Sequence, residues 1–599
     1  MRIFILLFIL SLSFFAKAEP QKIIIRAGEL KNELFSSFLD VMSVPCESRT
    51  QTLSSFLKNE KGIMIKSLGG ENSLSTLSIR GVGPSKAEHL LIMIDGMRLN
   101  TAQGSGVDIS KIPLSFVEKI EVIRGGESAL YGADAVGGVI NIVTRKDASY
   151  AEYAFSKKSW EKEKIKDHRL SLTTGENFRN LHFLLNLHSF QDKGDYAYQN
   201  PFTEEKEKRT HNEALGQGGL SKITWNPKDT LSFVLMEEVF FSKQNIPEPL
   251  LSSFSYEGHQ RDSRSLTELR GELRLPNEKA LSLELPFRFD RRYYKNLYEK
   301  ANYKNYHVGP KASFSFPFSD QHFFQMVGEI THDKLVSLSH SHSPQKTNWG
   351  LALKDDFFVT PQLTLSPVGR FDFSKGLYQE FNPKLGITYL LTPFLTLKSN
   401  ASQSFRSPSF DELYIQLGSF KGNPSLKPET SWDGDIGLTL SKEEWKIEQV
   451  LFGSYIKNLI TYTPETTKNL AEGKIWGTEL SFESKLPLLN HFYEALHYTW
   501  LKTELPYRPA HVFHSSLKWI KDPVEIFVGH QMTSPLLTPD PKRPKLQAAG
   551  LTDVGLTFFL NRSLSIQGKI ENLFDRAYER VAFYPMPGRT FSLNLFGTL

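Results

Sequence analysis

Val117-Glu118-Lys119-Ile120-Glu121-Val122-Ile123-Arg124-Gly125-Gly126-Glu127-Ser128-Ala129-Leu130-Tyr131-Gly132, followed by Gly137-Gly138-Val139-Ile140-Asn141-Ile142-Val143-Thr144, is the stretch whose reading decides the fold. Upstream, Ile79-Arg80-Gly81 and Leu90-Leu91-Ile92-Met93-Ile94-Asp95-Gly96-Met97-Arg98-Leu99-Asn100 share its texture. Short β-branched runs, each ended by a glycine turn, describe a compact domain of brief strands. The glycines at 125, 126, 132, 137 and 138 are too dense for a helix interior, where each costs about 1 kcal/mol relative to alanine. They read as places where backbone takes positive φ or passes close to backbone.

These pieces, together spanning 77–146 in one order, resemble the plug domain of TonB-dependent outer-membrane receptors. The resemblance rests on the Ile-Asp-Gly-x-Arg strand, the Val-Glu-x-Ile-Glu-Val-Ile-Arg-Gly run and the glycine-rich ending. Gly126 departs from it, since the family usually has proline there, and predicts a less rigid turn. The resemblance implies a plug over residues 44–146 seated in the lumen of a barrel. Arg80, Asp95, Arg98, Glu118, Glu121 and Arg124 then read as latch and packing residues, because charges against a polar barrel wall should be paired.

The N-terminus fits an exported chain. Arg2, an apolar run from Ile3 to Phe15 and Ala16-Lys17-Ala18 make a secretory signal peptide over residues 1–18. The run is too short for a spanning helix of about 20 residues. Its removal takes away Arg2 and Lys17, so the formal charge falls from +5 to +3, with no basic excess to argue for nucleic acid. Cys46 is the single cysteine, which rules out an intrachain disulfide and reads as a structural thiol.

Residues 19–43 read as a linker that opens with a docking segment. Lys22-Ile23-Ile24-Ile25-Arg26-Ala27-Gly28 is a β-branched run where free termini are normally polar. In the resembling family this position carries the TonB box, which the periplasmic energy-coupling protein TonB would engage by strand addition. A first plug strand or a remnant spacer is the alternative. Leu53, Phe56 and Leu57 share a helical face. Between the plug strands, 67–73, 82–89 and 101–108 read as Gly-, Ser- and Asn-rich loops.

From residue 147 to 599 the texture changes to alternation. Leu281-Leu283-Leu285-Phe287-Phe289, Leu181-Phe183-Leu185-Leu187 and Trp432-Gly434-Ile436-Leu438-Leu440 each repeat with period two. With 12% aromatic residues, an exported chain and a sustained run of such strands, a transmembrane β-barrel is the better reading than a soluble sandwich. About 450 residues at roughly ten per strand plus loops give about 22 antiparallel strands, a lumen wide enough to need a plug. Phe405–Tyr414 with Gly422–Ser431, and Ile570–Tyr578 with Pro587-Gly588-Arg589, are similar to the family's barrel and C-terminal signatures. Leu599 stands where a terminal aromatic is usual.

No catalytic grouping is present: neither Gly-x-Ser-x-Gly, His-Glu-x-x-His nor a phosphate loop occurs. An enzyme is not expected. His332, His340 and His342 read as a polar strand end and loop rather than metal ligands. Glu204-Glu205-Lys206-Glu207-Lys208-Arg209 reads as a solvated outer loop, with a clamp on lipopolysaccharide or ligand as the alternative.

Within the family, Leu74-Ser75-Thr76-Leu77-Ser78-Ile79-Arg80-Gly81 and Leu99-Asn100-Thr101-Ala102 with Gly104-Ser105-Gly106 resemble the cobalamin receptors. That resemblance implies that Leu74, Ser75, Thr76, Asn100, Gln103 and Ser105 line a ligand-binding plug apex. It also implies a calcium site in early outer loops, for which Asp192, Asp195, Asn212 and Glu213 are a thin set. The expected protein is a monomeric outer-membrane receptor that imports a scarce large ligand under TonB control. A corrinoid is the first expectation and a ferric siderophore the second. A passive porin-like channel or adhesin of the same architecture is the reading from another class.

Overall fold

The computed structural model describes residues 37–598 apart from 46–47, 71, 83–87, 105, 147–151, 161–166, 251–257, 298, 341 and 486–490. The expected signal peptide, the segment Lys22–Gly28, Cys46 and Ser105 lie outside the described residues.

Alternation in sequence becomes two-sidedness in space. In the strand Glu429–Lys442, Ser431, Asp433 and Asp435 are buried, while Trp432, Ile436 and Leu438 between them are exposed. Large apolar side chains left outside in this way would be a liability in water. On a closed cylinder they form the lipid-facing belt, and the polar set lines the lumen. The cylinder has 22 antiparallel strands. Thr590–Thr598 closes it by pairing with Glu152–Trp160, Leu595 opposite Phe155. Lys300–Val308 and Lys311–Ser319 are halves of one strand, and both pair with the same two neighbours. The break falls at Gly309-Pro310, where proline has no N–H for the ladder.

The two rims differ. One has tight turns such as 229–230, 443–444, 522–523 and 562–563, and the other has connections such as 193–213, 407–428, 534–548 and 572–589. Short turns face the periplasm and long loops face outward in barrels of this kind.

Inside stands the plug. Strands β1 (Phe38–Ser43), β4 (Leu90–Ile94), β5 (Met97–Arg98), β6 (Val117–Arg124) and β7 (Gly138–Thr144) form one sheet in the order β1-β6-β7-β4-β5, with β4 and β7 parallel. Strands β2 (Ile63–Ser67) and β3 (Ser75–Ile79) form a separate hairpin. Asp95 and Gly96 both take positive φ, 48° and 90°, which suits the two-residue turn joining β4 to β5. Helix α1 (Leu53–Leu57) is capped by Thr52, whose hydroxyl accepts from the Ser55 N–H at 3.3 Å. Leu57, Ile65, Ile92, Phe116, Ile120 and Ile142 make one core, which the barrel wall extends with Leu184, Leu220, Met236 and Leu266. Each such side chain contributes about 1.5–3 kcal/mol by leaving water.

One boundary needs correction. The linker expected through residue 43 ends before Phe38, because Phe38–Ser43 adds to β6 as the edge strand, Phe38 opposite Arg124. Phe-Leu-Asp-Val-Met-Ser has no clean alternation and no turn signal, so only the partner strand makes it regular.

Candidate functional site

The plug is held by charges whose partners lie on the barrel wall. Arg80 donates from Nε and Nη2 to Glu479 at 3.1 and 2.9 Å, and from Nη1 to Asp435 at 3.1 Å. Its guanidinium also lies 4.8 Å from the Phe452 ring centroid. Arg124 pairs with Asp40 and donates to the Lys61 carbonyl at 3.1 Å. Lys61 joins Asp40 at 3.1 Å and reaches Glu448 on the wall. Burial pushes the Asp40 carboxyl up, but Arg124 and Lys61 together outweigh it and hold it well below the usual range.

The same pattern runs round the plug. Lys58 sits between Asp553 and Glu571 at 2.7 and 2.9 Å, Lys111 meets Asp262, and Lys384 reaches inward to Glu127 at 2.5 Å. Asp95 accepts from Lys222 at 2.9 Å and from the Thr144 N–H and hydroxyl at 2.8 and 2.6 Å. Arg98 ties the plug to itself, donating to the Ala133 and Tyr131 carbonyls, while its own carbonyl accepts from Arg288 on the wall.

Two expected latch residues do other work. Glu118 is exposed and contributes only its carbonyl, which accepts from the Val44 N–H at 2.9 Å. Glu121 is fully buried but stays within the plug sheet, accepting from Asn141 at 2.9 Å and pairing with Lys119 at 3.0 Å. The latch members missed in sequence, Lys58, Lys61, Lys111 and Glu127, are ordinary charged residues whose partners on the wall lie 151 to 513 positions away.

The described loop residues 68–70, 72–74, 88–89 and 100–104 lie on the outward face of the plug, where Asn72, Ser73, His89 and Gln103 meet long barrel connections or the strands that carry them. Leu74 is 39% exposed there, and Thr76 is half-buried opposite Lys66. Gln103 bridges to the wall, accepting from Asn305 at 3.0 Å and donating to Asp411 at 3.5 Å. Ser75 and Asn100, expected at the apex surface, are instead buried brackets. The Ser75 hydroxyl donates to the Ser73 carbonyl at 2.9 Å. Asn100 accepts from the Ile92 N–H at 2.9 Å and donates to the Leu90 carbonyl at 2.8 Å. A polar side chain spent on the backbone of its own domain has little left for a ligand.

The expected calcium set is spent on protein partners in the same way. Asp192 accepts from Asn72 at 2.7 Å and Asn212 from Ser73 at 2.5 Å, so both grip the first apex loop. Asp195 pairs with Lys208 at 3.2 Å, and Glu213 accepts from Asn245. No group of three or more His, Cys, Asp or Glu suited to a metal occurs among the described residues. These four do not fit a calcium cage: Asp192 and Asn212 fasten the apex, while Asp195 and Glu213 meet Lys208 and Asn245 away from it. His332 bonds Thr347, His340 meets Asp411 at 3.0 Å, and His342 packs on Tyr414, so those histidines do not converge either. Lys206–Arg209, in the charged run, forms an outer hairpin with Tyr196–Gln199.

A buried charge cluster fixes the outer connection 407–428. Ser409 and Glu412 close a capping box on helix α2 (Phe410–Tyr414). Arg406 clamps Glu412 at 2.9–3.0 Å and Glu429 at 2.7–2.8 Å, and His89 of the plug reaches Glu429 at 2.5 Å.

Comparison with known proteins agrees with this architecture. A family model described as TonB dependent receptor-like, beta-barrel matches residues 137–573, and the TonB-dependent Receptor Plug Domain model matches 46–139. The chain is 23% identical to the vitamin B12 transporter BtuB of Vibrio cholerae, over 97% of this chain and 96% of that one. It is 24% identical to the iron-regulated outer membrane virulence protein of the same species, over 90% and 88%. Among solved structures, the siderophore receptor PirA from Acinetobacter baumannii superposes with a TM-score of 0.80 at 16% identity, covering 96% of this chain and 100% of that one. The ferric enterobactin receptor from Pseudomonas aeruginosa gives 0.78 at 17%, covering 94% and 100%. Plug, latch, closed barrel and a family match over most of its length show that this chain belongs to the TonB-dependent receptors of the outer membrane.

Proposed function

We propose that this receptor actively imports a scarce ligand too large for simple pores, a corrinoid in the first instance. The observation that carries import rather than passive flow is the buried latch: a plug tied to the wall by Arg80, Lys58 and Lys61 does not leave the lumen without work. The energy-coupling protein TonB would supply that work through the segment Lys22–Gly28. A ligand on the apex biases that engagement only through its differential affinity for the two plug states.

Similarity to a vitamin B12 transporter over nearly the whole chain supports the corrinoid reading. The relatives named for iron regulation and siderophores favour a ferric siderophore as the second reading. The deciding experiment measures growth of a knockout strain on cobalamin and on ferric chelates, together with binding of cyanocobalamin to the purified receptor. Saturable cyanocobalamin binding with loss of cobalamin-dependent growth supports the first reading, and loss of growth on chelated iron alone overturns it. Deleting residues 22–28 abolishes uptake and spares binding; uptake unaffected by the deletion refutes active transport.

A further inference from the structure

Among the plug cations of the latch, Lys66 of β2 is the exception. Lys58, Lys61, Arg80, Lys111 and Arg124 each lie against at least one carboxylate. Lys66 is equally buried, at 8% exposure, yet its Nζ has no hydrogen-bond partner. It faces the outer connection 504–510, with Nζ 5.2 Å from the centre of the Tyr507 ring. The next residue is a second buried cation, Arg508. Its Nε donates to the Gly81 carbonyl at 2.9 Å and its Nη1 to the Pro506 carbonyl, but its Nη2 has no partner. No ion pair joins either cation to a carboxylate among the described residues.

The backbone is bent to make this arrangement. Tyr507 holds φ at 61°, the left-handed region that costs a bulky residue about 1–2 kcal/mol. Tyr507 packs against Leu546, Ala582 and Phe583, so the outer connections roof the pair of cations.

Two cations flanking the same outer connection, both out of water and each with an unused donor, are costly unless an anion joins them. Loss of the lysine proton is an incomplete remedy. It leaves the amine unbonded, and arginine stays charged at any physiological pH. Burial, with Arg508 adding to it, does push Lys66 well below the ordinary lysine range, as expected of a lysine whose counter-ion is missing.

We propose that Lys66 and Arg508 form an oxyanion site at the outward side of the plug, roofed by Tyr507, that takes a carboxylate or phosphate group. Lysine supplies a point charge and arginine a directed donor, a combination suited to such groups. The group is either a free ion or the anionic end of the imported molecule, and the site stands whichever ligand is imported. An anion bound there would tie β2 of the plug to an outer connection.

The test uses the purified full-length receptor at pH 8 in a buffer free of oxyanions. Inorganic phosphate and acetate are titrated calorimetrically against chloride at equal ionic strength. Saturable binding of either, accompanied by proton uptake as Lys66 becomes charged, is expected. Lys66→Met should weaken it about tenfold or more and remove the proton uptake, while Lys66→Arg retains binding. Cyanocobalamin, which carries a phosphodiester, and ferric citrate, which carries carboxylates, form the second arm. If either weakens in Lys66→Met, the anion belongs to the imported molecule; if only the simple ions respond, it is a free ion. Absence of saturable binding to the unmodified receptor, or equal binding to Lys66→Met, overturns the proposal.

Discussion

Replacing Arg80 by methionine is the sharpest perturbation of the latch. Arg80, Asp435 and Glu479 are exposed by only 3%, 5% and 3%. Methionine fills much of the arginine stem but takes the bonded cation from two carboxylates away from water, leaving Glu479 only Arg124 at 3.9 Å and Asp435 only neutral donors such as Asn400 at 2.9 Å. Breaking a buried pair by removing one partner costs about 3–5 kcal/mol. With a urea sensitivity of about 2 kcal/mol per molar for a domain of this size, the plug should unfold about 2 M earlier. The assay is conductance of the receptor in a planar bilayer while urea is raised on the short-turn side, where an unfolded plug opens the lumen. The triple variant Arg80→Met, Asp435→Asn, Glu479→Gln removes the stranded charges and should recover most of the midpoint. A shift below about 0.5 M for Arg80→Met, or a triple variant no better than the single, refutes the claim that charge pairing holds the plug.

Other outcomes follow from the same geometry. Burial, reinforced by the neighbouring Asp40, pushes the Glu60 carboxyl up to about 7. A folded-state value raised above the unfolded one means that plug stability falls as pH rises from about 4.5 to 7 and is flat beyond. Urea midpoints at pH 5, 6 and 8 check this, and Glu60→Gln should flatten that part of the profile. Asn100→Ala strands the Ile92 N–H and the Leu90 carbonyl, so it should cost the plug about 1–3 kcal/mol in the same assay while ligand affinity of the folded receptor stays unchanged. Gly126→Pro should loosen docking rather than stiffen the turn. A side chain there meets Ser404 Oγ at 2.5 Å, Asp433 Oδ2 at 2.6 Å and Ser402 Oγ at 2.8 Å, so a loss of about 1–3 kcal/mol is expected. An unchanged or higher midpoint for this variant would show that the wall yields.

The membrane cylinder was legible because period-two alternation is a local property: Trp432, Ile436 and Leu438 announce their face without reference to any neighbour. Glycine-ended strands marked a compact domain over 77–146 for the same reason, and their resemblance to a known plug domain said where it sits. Phe38–Ser43 was misread as linker because it is regular only when β6 lies beside it. Asn100 and Ser75 were misread because a polar residue in a loop looks the same whether it faces a ligand or brackets its own backbone. The partners of Arg80 lie 355 and 399 residues away, and no spacing rule reaches that far. Gly126 shows the same limit, since the close approach of Ser402 and Ser404 exists only once the plug is docked. Lys66 resembled any lysine on a strand until the absence of a carboxylate around it could be seen.

The position of β1 at the sheet edge has a mechanical consequence. Tension entering from the segment before Ser37 loads the Phe38–Arg124 end of the β1–β6 ladder first. Rungs of an edge strand pulled from one end fail in turn, at far lower force than if all had to shear together. Asp40, two residues in, would be carried away from Arg124 early. The first few ångströms of travel would thus part Asp40 from Arg124 and Lys61 while moving only Phe38 and Leu39 among the buried apolar contacts, before the core around Leu57, Ile92 and Ile142 is disturbed.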